Sequence, residues 1–158
     1  MRLPPRHDRY LRTKRLVFPF VAPLYRVLAP YVYPLVRISL GAILMPHGFD
    51  KLFLGGAANT ARNPLLIKLF GNATVGAYFI GCVEFFGGLL LVLGLLTRLA
   101  AGAIAIQMFV ISFFILWPVW GWTQRGMEYA IFMMLIAVAV FIGGGGKCSI
   151  DRYLPKEL

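Results

Sequence analysis

RISLGAILMPHGFDK, residues 37–51, decides how the rest of the chain is read. It opens with Arg37, runs through apolar residues and ends in His47, Asp50 and Lys51. At helical spacing those last three stand at i, i+3 and i+4 and share one face. The apolar setting places this helix in a bilayer, where ionisable groups are costly and face a protein interior, a water-filled cavity or a ligand. One wall of any functional site is expected here.

The composition extends that reading to the whole chain. Of its 158 residues, 59% are hydrophobic and only 14% charged, against about 45–50% and 25% for a soluble domain. An all-α integral membrane protein is the class implied, with one compact unit and no linker to a second domain. The formal charge of +10 does not indicate nucleic acid, because the basic residues flank apolar spans instead of striping a soluble surface. Cys82 and Cys148 form no CxxC pair, and the topology puts them near opposite sides of the membrane, so two unpaired thiols are expected.

Four spans are expected, at about 33–54, 75–96, 99–117 and 127–144, each close to the ~20 residues a bilayer requires. Residues 1–32 carry Arg2, Arg6, Arg9, Arg12, Lys14, Arg15 and Arg26 against a single acid, Asp8. Prolines and dispersed arginines interrupt any signal-peptide core. Pro19, Pro23 and Pro30 argue against a regular spanning helix, so this part reads as a basic tail and a segment along the cytoplasmic interface. Pro34 falls near the expected start of the first span, and Pro46 is expected to kink it. Between the first two spans, Leu65, Leu66, Leu69 and Phe70 would form one apolar face of a short interfacial or lid-like helix. The second span is glycine-rich, which permits close helix contacts, and carries Glu84. Thr97 and Arg98 are expected to form a tight turn. Gln107 is the only strongly polar side chain of the third span, and Trp117, Trp120 and Trp122 mark an interface. The fourth opens with Glu128 and Tyr129 and ends at a glycine run, with 147–158 as a short tail.

The basic residues orient the chain. The N-terminal tail, the Arg98 turn and the C-terminal tail hold eleven lysines and arginines, and the two opposite loops hold three. Both termini are therefore expected in the cytoplasm. At ~1.5 Å per residue, His47, Asp50 and Lys51 fall in the outer half, Glu84 lies roughly 13 Å below the outer surface and Glu128 lies near it. Ionisable groups from three helices thus reach similar depth. Each also has a plainer reading. Glu84 can pair with Lys51 or His47 to hold helices together. Asp50, Lys51 and Glu128 can be solvated, Arg37 can snorkel to headgroups, and Gln107 can make a helix–helix hydrogen bond. No paired histidines for haem, nucleotide loop, serine elbow or metal constellation is visible.

Several motifs then occur in register: RISLGAILMPHGFDKLF in the first span, VEFFGGLLLVLGLLTRLAA across the second and third, GMEYAIF opening the fourth, and GGGGKCSID after it. With them, about Leu35 to Tyr153 resembles the DoxX family of small four-helix membrane proteins. The resemblance implies a four-helix bundle in a bacterial inner membrane. It also implies a link to quinone-linked oxidoreductase systems, such as the membrane part of a thiosulfate:quinone oxidoreductase, methylamine dehydrogenase maturation or redox-stress complexes. The family positions carried over are Arg37, His47, Lys51, Glu84, Arg98 and Glu128.

Two functions follow as expectations. In the first, the chain is a membrane subunit that binds quinone or lipid in an apolar slot with a few polar groups. His47 and Lys51 donate to a carbonyl there, and Glu84 orients them or relays a proton. The candidate set is His47, Lys51, Glu84, Glu128, Asp50 and Arg37, with no covalently bound cofactor and no metal. Electrons would need a redox partner. In the second, the chain is a structural or assembly subunit of a larger membrane complex or a homo-oligomer, its basic N-terminus gripping a partner or anionic lipid. Transport fits less well, since four spans lack the inverted repeats of transporters.

Overall fold

The structure is a computed structural model and describes residues 17–154. Most of the expected basic tail, residues 1–16, lies outside the described residues, as do 155–158. Among the described residues all regular structure is helical. A 3-10 turn, Pro19–Val21, leads into α1, Ala22–Phe53. Two short helices follow, α2 (Ala57–Thr60) and α3 (Pro64–Phe70), then α4 (Ala73–Leu93) and α5 (Thr97–Val110), which continues as a π-helical stretch, Ile111–Leu116. After a 3-10 turn at Trp122–Gln124 comes α6, Glu128–Gly143, and the described chain closes with the turn Asp151–Tyr153.

The first departure from expectation is α1. Instead of breaking before Tyr33 it is continuous over 32 residues, with Pro30, Pro34 and Pro46 inside it. Each internal proline forfeits the bond to the carbonyl four residues back. Abandoning the helix in an apolar medium would leave far more backbone unpaired, so the prolines are tolerated. Pro23 sits in the first turn, where its missing N–H is lost anyway. A second correction concerns the turn before α5. It is made by Gly94, Leu95 and Leu96, while Thr97 already belongs to the helix. Gly94 has φ +67°, and Leu95 N–H reaches back to the Leu90 carbonyl at 3.0 Å, a glycine C-cap.

The other ends are set by short polar side chains. Asn72 accepts from Thr74 N–H at 2.8 Å and starts α4; Asn63 accepts from Leu65 N–H at 2.9 Å and starts α3, with Pro64 next. On α3 only Leu66 is buried, whereas Leu69 and Phe70 are exposed, so the four expected apolar residues do not share one packed face.

Among the described residues three helical stretches are long and apolar enough to cross a membrane: Pro19–Phe53, Ala73–Leu93 and Thr97–Leu116. The fourth, α6, has 16 residues and is shorter than expected. Phe79, Ile106, Phe114, Phe132 and Ile142 are more than half exposed, as lipid-facing side chains are. Inside, Leu40, Leu44, Leu91, Ile104, Met133 and Val140 form the main core. α1 packs most extensively on α4, and α5 on α6, with α4 against α5 joining the two pairs.

Glycine permits the α1–α4 contact. A Cβ on Gly88 would stand 2.7 Å from the Gly41 carbonyl oxygen, and one on Gly48 would stand 2.7 Å from that of Gly81. Backbone, unlike a side-chain tip, cannot move aside. Gly48→Ala is therefore expected to lose about 1–3 kcal/mol by overpacking. Gly102→Ala, where the added carbon meets only the Phe141 ring at 3.3 Å, is expected to change stability by less than about 0.5 kcal/mol. Thermal melts of both variants in one detergent check this. Equal shifts would mean the α1–α4 contact is no tighter than α5–α6.

Candidate functional site

Three helices each deliver one polar side chain to a common point. α1 supplies Lys51, α4 supplies Glu84 and α5 supplies Gln107. Lys51 Nζ lies 2.7 Å from Glu84 Oε2, and Gln107 Nε2 donates to Glu84 Oε1 at 3.0 Å. Lys51 Nζ also donates to the His47 carbonyl at 3.3 Å. The side chains of Lys51 and Glu84 are 16% and 5% exposed, so the pair is largely withdrawn from its surroundings. A carboxylate so placed needs its charge met by neighbours, and here each oxygen has a donor. Gln107 makes the interhelical bond that its place in the third span suggested, and it belongs to the cluster although the sequence placed it outside the candidate set.

The other candidates separate from this point. His47 is one turn before Lys51 but exposed, and Asp50 is exposed. Of the three residues expected to share a face, Lys51 is the one that bonds Glu84. Glu128 is exposed as well. Its Oε2 accepts from Trp122 N–H at 3.3 Å, and it lines a cavity of about 460 Å³ with Trp122, Tyr129 and Phe132. None of these four residues borders the cavities beside Glu84. The expected convergence of Glu128 on Glu84 is not seen: the two carboxylates border different cavities.

Arg37 belongs to yet another cluster, fourteen residues back along α1 from Lys51. Fully buried, it donates through Nη1 to the Gly145 carbonyl and through Nη2 to that of Cys148 at 2.8 Å. Neither snorkelling nor an open ligand contact describes it; it clasps the segment after α6. Asp151, on that segment, accepts from Leu96 N–H at 2.7 Å and Thr97 N–H at 2.9 Å, capping α5 from a distance in sequence. Tyr33 Oη donates to the Gly144 carbonyl at 2.6 Å. Arg98 Nη1 donates to the Phe141 and Ile142 carbonyls at 2.9 and 3.0 Å, satisfying the last turn of α6. The roles of Tyr33 and Asp151 carry no spacing signal in the sequence. Cys82 and Cys148 are both free and exposed.

Two cavities adjoin the Lys51–Glu84–Gln107 cluster. One, about 270 Å³, is bordered by Lys51 and Glu84 and by Asn59, Thr60 and Asn63 of the loop between α1 and α4. The other, about 300 Å³, runs between α4 and α5 under α3, and Gln107 is its single polar lining residue. Both share Leu66, Ile80, Ile111 and Ile115 as walls. The π-helical stretch, a form that often accompanies functional sites, supplies the last two. The ion pair therefore borders the first cavity, Gln107 borders the second, and the two cavities are neighbours across shared apolar walls.

The sequence profile of the DoxX family matches residues 33–117, which include α1 from Tyr33, the whole cluster and both cavities. The chain belongs to the DoxX family. It is an integral membrane protein, with three helices among the described residues long and apolar enough to cross a bilayer. A Haemophilus influenzae protein described only as uncharacterized is 27% identical over 139 residues, covering 81% of this chain and 94% of its own length. No solved structure matches the chain. Within the DoxX match, Arg37 and Arg98 serve carbonyls at one end of the helices, whereas Lys51 and Glu84 face each other beside the cavities.

Proposed function

We propose that this DoxX-family chain is a membrane subunit of a quinone-linked oxidoreductase system and binds a quinone beside Lys51, Glu84 and Gln107. The observation that carries the reading is that the Lys51–Glu84–Gln107 cluster stands between two adjoining cavities, the ion pair on one and Gln107 on an apolar groove. Lipophilic ligands with polar heads need such a place, and each cavity is near the lower end of the ~300–1,000 Å³ usual for ligand sites. Lys51 would hold a carbonyl oxygen, Glu84 would fix the ammonium in place, and the groove would take the tail. A bound quinone would supply the electron carrier, and the redox centre that exchanges electrons with it would belong to a partner subunit. His47, Asp50 and Glu128, all exposed, would act at the rim or not at all.

In this proposal α6 completes a four-helix bundle in a bacterial inner membrane. Its support is the core that Met133, Ala137 and Val140 share with α5 and with Leu40 and Leu44 of α1. The lysine and arginine balance supports cytoplasmic termini, and the basic N-terminal residues suit an anionic lipid surface or a partner.

Gentle purification from native membranes, followed by mass spectrometry of co-purified lipids and chains, tests the proposal. The expected result is a stoichiometric quinone that Glu84→Gln loses. A stoichiometric partner complex with no quinone in either protein would overturn it. That outcome would favour an assembly subunit, a reading supported by how completely Lys51 and Glu84 already satisfy each other.

A further inference from the structure

Gln107 has one side-chain atom without a partner. Its Nε2 is taken by Glu84 Oε1, while its Oε1 is buried and makes no hydrogen bond among the described residues. The neighbouring charges fix which way the amide points. Glu84 Oε2 already accepts from an ammonium, so the carboxylate presents Oε1 as an acceptor, and only the NH₂ side of Gln107 can face it. The carbonyl oxygen is left buried and without a donor. Gln107 is the single polar residue lining the apolar groove between α4 and α5.

A buried acceptor left unmet costs about 1–3 kcal/mol. Water is a poor remedy in this groove, because an ordered water needs two to four polar partners and the lining offers one. A ketone, ester or ether is no remedy either, since it would set one acceptor against another. The group that suits Oε1 is an O–H or N–H carried on an apolar body. The groove also faces the bilayer: Leu69, Phe79 and Ile106 line it and are 56%, 54% and 69% exposed. Access is therefore sideways, from lipid.

We propose that the groove selects a hydroxyl-bearing lipophile, an alkylated phenol or hydroquinone, whose O–H donates to Gln107 Oε1 while its chain lies along α4 and α5. This rests on the quinone reading and adds to it: the site discriminates by redox state, and holds the reduced hydroxyl form more tightly than the oxidised carbonyl form. Gln107 is the specificity-determining residue. Lys51 and Glu84, on the far side of the amide, fix its orientation.

The test needs no turnover. Full-length protein in lipid nanodiscs is titrated anaerobically with decyl-hydroquinone, decyl-benzoquinone and the dimethyl ether of the hydroquinone, with binding read by quenching of protein fluorescence. The hydroquinone is expected to bind about ten-fold tighter than the quinone, the scale of one hydrogen bond to an otherwise unpaired buried acceptor. Gln107→Met, close in length but with no oxygen, is expected to bring the two within about two-fold of each other. Equal binding of hydroquinone and quinone by the unaltered protein would overturn this inference and leave the quinone site standing. A preference that survives Gln107→Met would also overturn it, by moving the selectivity elsewhere. Failure of all three compounds to bind would overturn both readings. Because the ligand series is run on unaltered protein, a poorly folding Gln107 variant does not remove the test.

Discussion

Arg37→Met is expected to free the segment after α6 from the rest of the protein while leaving the hydrophobic length of α1 unchanged. In the native fold the guanidinium spans two carbonyls, those of Gly145 and Cys148, that belong to no helix. Each hydrogen bond to a charged donor contributes about 1.5–3 kcal/mol. Loss of both is expected to cost about 3–5 kcal/mol, a large share of the stability of a folded domain. Methionine fills part of the volume but cannot reach either oxygen as a donor.

The damage should spread through the connections of the same segment. Asp151 N–H donates to the Gly94 carbonyl at 2.9 Å, and its carboxylate caps α5. Once residues 144–154 detach, the first turn of α5 loses its cap. Limited proteolysis reads this directly: cleavage within 144–154 should accelerate about a hundred-fold, as local opening becomes easier by roughly 3 kcal/mol. Arg37→Lys keeps the charge but not the planar fork, so it should recover only part of the protection. Unchanged cleavage in Arg37→Met would mean that Tyr33 and Asp151 hold the segment unaided. The effect expected from this charged residue of α1 is therefore structural.

Why the sequence could suggest Lys51–Glu84 but not Arg37's role follows from what it encodes. Span length, apolar content and the rise of 1.5 Å per residue give depth, and depth is a single coordinate. It placed Lys51 and Glu84 at compatible heights, and they meet. The same coordinate placed Glu128 within reach, yet that residue accepts from Trp122 N–H and borders a different cavity from Glu84. Rotation about each helix axis, and the order in which helices neighbour one another, come from packing. Gly41, Gly48 and Gly88 set it for α1 against α4, through contacts that a one-dimensional reading sees only as small residues. His47 and Asp50 show the same limit within one helix, since spacing put them near Lys51 but could not say which edge of that face is inside. The proline-rich start of α1 fails for another reason. Rules learned from water overstate the cost of proline where leaving the helix would expose the whole backbone to lipid. Arg37 was illegible because its partners are backbone carbonyls of an irregular segment, which carry no side-chain signature.

Removing both charges of the central pair is expected to separate its contribution to stability from its contribution to binding. Lys51→Met alone leaves the Glu84 carboxylate, 5% exposed, with only Gln107 as donor. Breaking a buried pair in this way costs about 3–5 kcal/mol. Glu84→Gln should cost less, near 2–3 kcal/mol, because Lys51 keeps some solvent contact and an amide oxygen can still accept from it. The double replacement Lys51→Met with Glu84→Leu, apolar and of similar volume, should return close to the parent stability, since well-packed apolar residues commonly replace a buried ion pair without loss. Denaturation of the parent, Lys51→Met, Glu84→Leu and the double variant in one detergent gives the coupling energy of the pair. If Lys51 and Glu84 serve only to hold α1 against α4, the double variant should keep every partner chain and every co-purified lipid of the parent. If they form a ligand site, the double variant should be as stable as the parent yet retain no quinone, because the site would have lost both the ammonium and the group that orients Gln107. Restored stability with lost binding is the result expected here. A double variant that is stable and still retains quinone would move the site away from this ion pair, and one as unstable as Lys51→Met would show that the helices need the charges themselves.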